Sequence, residues 1–285
     1  MLGVWRLSLL VVLALVAFGC GGGRSQAHSR STSPSQELDG SYHSTALDGT
    51  IHYSVYLPPG YAESRKRYPV IYFLHGLPAP PTAYQGAQWA AAAIQQTGSE
   101  AIVVAPQGAS STQSDPEYHD WGPGEDWETA IGVELPAYVD AHYRTIRNRS
   151  ARAIVGFSAG GYGASMLALH HPATFGAFES WSGYFRATDP TGEKTLDLPD
   201  STVYTLVPKL RKQLAHYPTF IAFYVGRSDP TFVPDNLKLN GALNNVGVRH
   251  VFDLYDGGHT ATLWQSHATQ WFGLALSHLT DARAG

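Results

Sequence analysis

Apolar residues fall along this chain in short dense runs, separated by glycine- and proline-containing breaks and by longer stretches of helical period. Residues 68–74 (YPVIYFL) and 101–105 (AIVVA) are almost continuously apolar, the pattern of strands buried on both faces. Residues 153–155, 178–182, 220–225 and 251–255 predict further strands of the same kind. Ahead of them, 42–47 and 51–57 flank Asp48-Gly49 and predict an antiparallel hairpin. Helical segments are predicted between the strands at 86–96, 128–143, 161–170, 203–214 and 262–279. Pro136 conflicts locally with the second of these, because it lacks the N–H that an interior helical residue donates. Strands alternating with helices, without an internal repeat, predict an α/β protein with one mostly parallel sheet and helices on both faces.

Composition narrows this picture. The chain has 285 residues, 44% of them hydrophobic and 15% charged, with a formal net charge of -4. That balance gives no electrostatic reason to expect nucleic acid as a partner. The 13 histidines lie in no C-x-x-C or H-E-x-x-H context, so no metal site is readable. Oligomeric state is not encoded in any pattern we can read.

The N-terminus predicts a targeting segment over residues 1–20. Arg6 precedes an apolar run at 7–18 that is short for a membrane span. Cys20, the sole cysteine, follows that run and precedes three glycines, an arrangement that resembles a bacterial lipoprotein signal with Cys20 as the lipidated residue. Ordinary signal cleavage near Ser25-Gln26-Ala27 is the alternative; both put the mature protein outside the cytoplasm, secreted or lipid-anchored to the cell envelope. Residues 21–40 read as a flexible tether and 41–285 as one folded catalytic domain.

Gly156-Phe-Ser158-Ala-Gly160 fits G-x-S-x-G, and its setting matters more than the pattern, which alone could be a glycine-rich bend with an inert serine. An apolar run precedes it and small residues follow, as a tight strand-to-helix turn requires. A serine hydroxyl needs a base, and the base needs an orienting carboxylate. Asp229 and His259 each follow a predicted strand, so both are expected at the sheet edge that carries Ser158. Asp235, Asp253, Asp256 and His267 are weaker candidates: further into a loop, mid-strand, too near His259 in sequence, and within a helix. The backbone N–H groups of Ala159 and of Leu77, in the loop after strand 68–74, are the expected oxyanion donors. His75 is expected to hold that loop rather than to titrate. Trp121, Trp127, Trp181, Tyr184 and Phe185 are candidate pocket residues suited to an aromatic acyl group or a sugar face, and loops 109–126 and 183–201 are the expected walls.

The segments YPVIYFLHG, DWETAIGVELPAYVDAHYRT, RAIVGFSAGGYGA, YVGRSDPTF and YDGGH resemble one branch of the α/β-hydrolases over nearly all of residues 41–275. That branch includes esterase D and S-formylglutathione hydrolase, the feruloyl and acetylxylan esterases of carbohydrate esterase family one, and the mycobacterial mycolyltransferase antigens. The resemblance implies an α/β-hydrolase fold without a large cap domain, Ser158, Asp229 and His259 as the triad, Leu77 and Ala159 as the oxyanion hole, and no cofactor. The expected activity is extracytoplasmic serine carboxylesterase, with feruloyl or acetyl esters of plant polysaccharide among the candidate substrates. Transfer of the acyl group to a sugar or lipid hydroxyl is the first alternative, and a non-catalytic tethered binding protein the second.

Overall fold

The computed structural model describes residues 35–111, 117–187 and 201–283. The targeting segment, Cys20 and most of the tether lie outside the described residues, as do 112–116 and 188–200 of the two expected wall loops.

Eight strands form one sheet in the order β1-β2-β4-β3-β5-β6-β7-β8. β1 (Gln36–Ser44) and β2 (Gly49–Leu57) form the antiparallel hairpin, and β2 pairs antiparallel with β4 (Ile102–Pro106). β3 (Val70–Leu74), β5 (Arg152–Phe157), β6 (Ala177–Trp181), β7 (Phe220–Gly226) and β8 (Val251–Tyr255) run parallel with β4 and with one another. β1 begins inside the stretch expected to be tether, because its outward residues are polar and exposed and so carry no apolar alternation to read. It also ends earlier than expected, at Ser44, where the turn over 45–48 takes up the rest of the predicted strand.

Successive residues of the central strands feed two separate cores. Val70, Tyr72 and Leu74 face one, with Ile221 and Phe223; Ile71 and Phe73 face the other, with Ala222 and Tyr224. The first core is closed by α4 (Ala159–His170), α5 (Val203–His216) and α6 (Val233–Asn245), and by the segment 127–142. α1 (Gln88–Gln96) and α7 (Ala261–Ser277) close the second.

Pro136 is accommodated by local unwinding. The segment 127–142 consists of α2 (Trp127–Thr129), a π-helical turn at Ala130–Glu134 and α3 (Leu135–His142). Leu135 N–H reaches back to the Ala130 carbonyl, which widens the turn just ahead of the proline ring. α6 is a helix that the apolar pattern did not predict. Its sequence VPDNLKLNGALNN is nearly half polar and buries only Asp235, Asn236, Leu239 and Leu243.

Strand register brings the loops of interest to one edge. Leu74 pairs with Gly156, Phe157 with Trp181, Trp181 with Tyr224, and Gly226 with Tyr255. Five strands therefore end together. From β3 the chain steps outward to β4 and then returns across to β5, so the strand order reverses between β3 and β5, the point where open α/β sheets bind ligands.

Candidate active site

Ser158 sits at that reversal, directly after β5 and directly before α4. Its backbone is at φ 56°, ψ -125°, a conformation that L residues rarely adopt and that costs about 1–3 kcal/mol. Three hydrogen bonds hold it there: Ser158 N–H donates to Trp181 O at 2.9 Å, while its carbonyl accepts from Gly161 N–H at 2.9 Å and Tyr162 N–H at 3.2 Å. The flanking glycines are sterically required. A Cβ on Gly156 would lie 2.3 Å from the Gly160 oxygen, and one on Gly160 2.4 Å from the Leu74 oxygen.

The hydroxyl so presented meets its expected partners. Ser158 Oγ and His259 Nε2 are 2.9 Å apart, and His259 Nδ1 and Asp229 Oδ2 are 2.9 Å apart. An ionised Asp229 can only accept, so Nδ1 carries the proton and Nε2 is left to accept from the serine. Asp229 is 2% exposed, and its second oxygen accepts from Phe232 N–H at 3.1 Å. Each carboxylate oxygen thus has a partner that fixes its orientation.

Loop 75–77 crosses beside the serine. His75 spans two loops: its Nε2 accepts from Gly108 N–H at 3.0 Å and its Nδ1 lies 3.0 Å from the Gly76 carbonyl. Burial pushes its pKa down, so the neutral ring is the stable form and it serves as a brace. Among the described residues, no acceptor takes the N–H of Leu77 or of Ala159. Ala159 N–H stands at the start of α4, directly after Ser158, and Leu77 follows Gly76, where an added Cβ would lie 2.8 Å from the Ser158 Cβ.

A family model described as "Putative esterase" matches residues 44–272. The chain belongs to this esterase family. Esterase Rv1288 of Mycobacterium tuberculosis is 29% identical over 143 residues, which are 50% of this chain and 31% of that protein. The chain therefore matches less than a third of that relative's length. The solved structure of a ferulic acid esterase superposes with a TM-score of 0.72 at 24% identity, covering 86% of this chain and 99% of that one. An S-formylglutathione hydrolase from Staphylococcus aureus gives 0.71 at 19% identity, covering 86% and 100%. The fold is that of the α/β-hydrolase esterases.

The aromatic residues expected in the pocket divide. Trp181 is fully buried in the core under α1 and α7, where its Nε1 donates to Glu179 Oε2 at 2.9 Å, so it cannot line a pocket. Trp127 and Phe185 are likewise core residues, packed on the α4 face. Trp181 closes the end of β6 and Trp127 the start of α2, and Phe185 packs edge-on against Phe223 of β7. Trp121 is 42% exposed, and Tyr184 is buried with its hydroxyl donating to Glu117 Oε1 at 2.7 Å. Glu117 and Tyr184 belong to the two expected wall loops, whose described ends meet through this bond. Tyr184 also stacks on Phe232 at 5.6 Å, and Phe232 in turn tilts against the His259 ring at 4.8 Å.

The competing acids have other work. Asp235 is buried and takes Phe185 N–H at 2.8 Å and the Tyr204 hydroxyl at 2.7 Å, tying the loop after β6 to α5 and α6. Asp256 is solvent-exposed beside Arg227. Beneath the site, Glu179 of β6 is wholly buried, and burial pushes its pKa up to about 8 despite the bond from Trp181. A cleft of about 710 Å³ opens at the opposite edge of the sheet, between Phe220 and Val251, and contains none of the triad.

Proposed function

We propose that this protein is a serine carboxylesterase that works through an acyl-enzyme on Ser158. One observation carries the reading: an unbroken Ser158–His259–Asp229 hydrogen-bond chain at the reversal point of the sheet. As Ser158 Oγ attacks the ester carbonyl, His259 Nε2 takes the hydroxyl proton and Asp229 stabilises the imidazolium that forms. The carbonyl oxygen becomes an oxyanion and accepts from Leu77 and Ala159 N–H. His259 then returns the proton to the leaving alkoxide, releasing the alcohol. Water, deprotonated by the same imidazole, attacks the acyl-enzyme, and collapse of the second tetrahedral intermediate frees the acid and restores Ser158.

For substrates, we favour small esters of aromatic or acetyl acids, including those borne by plant polysaccharides. The likeness to a ferulic acid esterase supports this, as does the aromatic ring of Phe232 beside His259. The apolar run at 7–18 and Cys20 support action outside the cytoplasm, secreted or lipid-anchored.

The test is hydrolysis of p-nitrophenyl acetate together with labelling by a fluorophosphonate probe. The wild-type protein should hydrolyse the ester and take one label, on Ser158, and Ser158→Ala should lose both. Hydrolysis that survives Ser158→Ala would overturn the reading.

A further inference from the structure

The bond from His259 Nδ1 to Asp229 fixes one point of the imidazole ring and leaves the ring free to swing about it. The side chain is 31% exposed, so solvent does not prevent such motion. Two aromatic rings do. Phe232 approaches at 4.8 Å with its plane tilted by 46°, and Trp264 approaches at 5.0 Å almost perpendicular, at 89°.

Trp264 owes its place to the start of α7. Thr260 is the N-cap: its backbone is extended and its Oγ1 accepts from Leu263 N–H at 3.3 Å. With Ala261 as the first helical residue, His259 is the residue before the cap and Trp264 is the fourth residue of the helix. Those are the two positions at which a hydrophobic pair commonly packs across a cap and sets the angle at which the chain enters the helix. Here the outer member of the pair is the imidazole of the triad.

The inner member is itself immobile. Trp264 is buried, its Nε1 donates to Ser182 Oγ at 3.0 Å, and its ring stacks on Phe157 at 4.6 Å, beside Ser158 in sequence. We infer that Trp264 is a positioning residue acting through His259: its contact across the Thr260 cap aims Nε2 at Ser158 Oγ. This rests on the reading of His259 as the base. Core packing alone would need only the Phe157 and Ser182 contacts, and it leaves the perpendicular contact with the imidazole without a purpose.

The test combines four variants with p-nitrophenyl acetate kinetics. Trp264→Leu should lower kcat about tenfold with KM unchanged, because the fraction of protein with an aimed imidazole falls while the pocket does not change. Trp264→Phe restores a ring at the same helical position and should recover most of that loss. In a His259→Ala background, whose residual rate comes from the oxyanion donors and binding, Trp264→Leu should change the rate less than about twofold. Thr260→Ala leaves the core intact and should lower kcat severalfold through the same entry angle, which keeps the inference testable should Trp264→Leu fail to fold. A folded Trp264→Leu or Thr260→Ala protein with wild-type kcat, beside an inactive Ser158→Ala, would overturn the inference alone. So would a loss from Trp264→Leu that is as large without His259 as with it, since that would place the effect on the Phe157 side. If Ser158→Ala kept the wild-type rate, the serine-hydrolase reading would fail and the inference with it.

Discussion

Replacing Asp229 by asparagine should remove nearly all activity, and the structure says why a near-isosteric change is so costly. Asp229 has one oxygen on Phe232 N–H and the other on His259 Nδ1. Asparagine has a single oxygen, and Phe232 N–H, being a fixed backbone donor, claims it. The amide NH2 must then face Nδ1, which becomes an acceptor, so the imidazole proton moves to Nε2. A protonated Nε2 cannot accept from Ser158, and the base is lost even though every heavy atom can stay in place. The opposite rotamer faces its NH2 toward Phe232 N–H in a buried site, leaving that donor unsatisfied at about 1–3 kcal/mol. An aspartate-to-asparagine change in such a triad lowers turnover about 10⁴-fold, close to 5 kcal/mol of transition-state stabilisation. We expect a fall in kcat of about 10³- to 10⁴-fold on p-nitrophenyl acetate, an unchanged KM and little change in melting temperature. Asp256→Asn serves as the control, since Asp256 is solvent-exposed and should not affect the rate. A folded Asp229→Asn enzyme that keeps a tenth of the wild-type kcat would refute the assignment of Asp229 as the orienting acid.

Two further outcomes follow from packing and burial. Gly160→Ala would press a methyl group to 2.4 Å from Leu74 O and 2.5 Å from His75 O, both backbone atoms that cannot swing aside. Calorimetry should show a melting temperature lower by about 2–12 °C, the effect of an overpacking cost of about 1–3 kcal/mol, with kcat also reduced. Glu179 is held above its ordinary 4.5, at about 8, so between those values the folded state binds a proton that the unfolded state has released. Wild-type stability should therefore fall across that window at up to about 1.4 kcal/mol per pH unit, and thermal melts of Glu179→Gln should lack the slope and exceed wild type near pH 8.

The order of strands and helices was legible because buried parallel strands leave dense apolar runs. The reversal of strand order between β3 and β5 leaves no such trace, yet it is what sets loop 75–77 beside Ser158. α6 was missed because it touches the core through only a few residues, and Asp235, which looks in sequence like a free loop carboxylate, is in fact a buried tie. Ser158, Asp229 and His259 could be picked out together in sequence because each follows a strand whose end the register aligns with the others, and the structure brings them within hydrogen-bond distance. The aromatic residues misled for a related reason. Trp181 lies two residues before the loop expected to wall the site, but a strand residue alternates faces, and this one points down into the second core. The residues flanking His259 carried a different signal, one of helix capping. In His259-Thr260-x-x-x-Trp264 the threonine caps α7, and the cap makes its two neighbours touch. Chemistry at this site is therefore encoded at two ranges. Strand register sets which loops meet at the sheet edge, and a six-residue capping pattern sets the direction in which one imidazole faces once they have met.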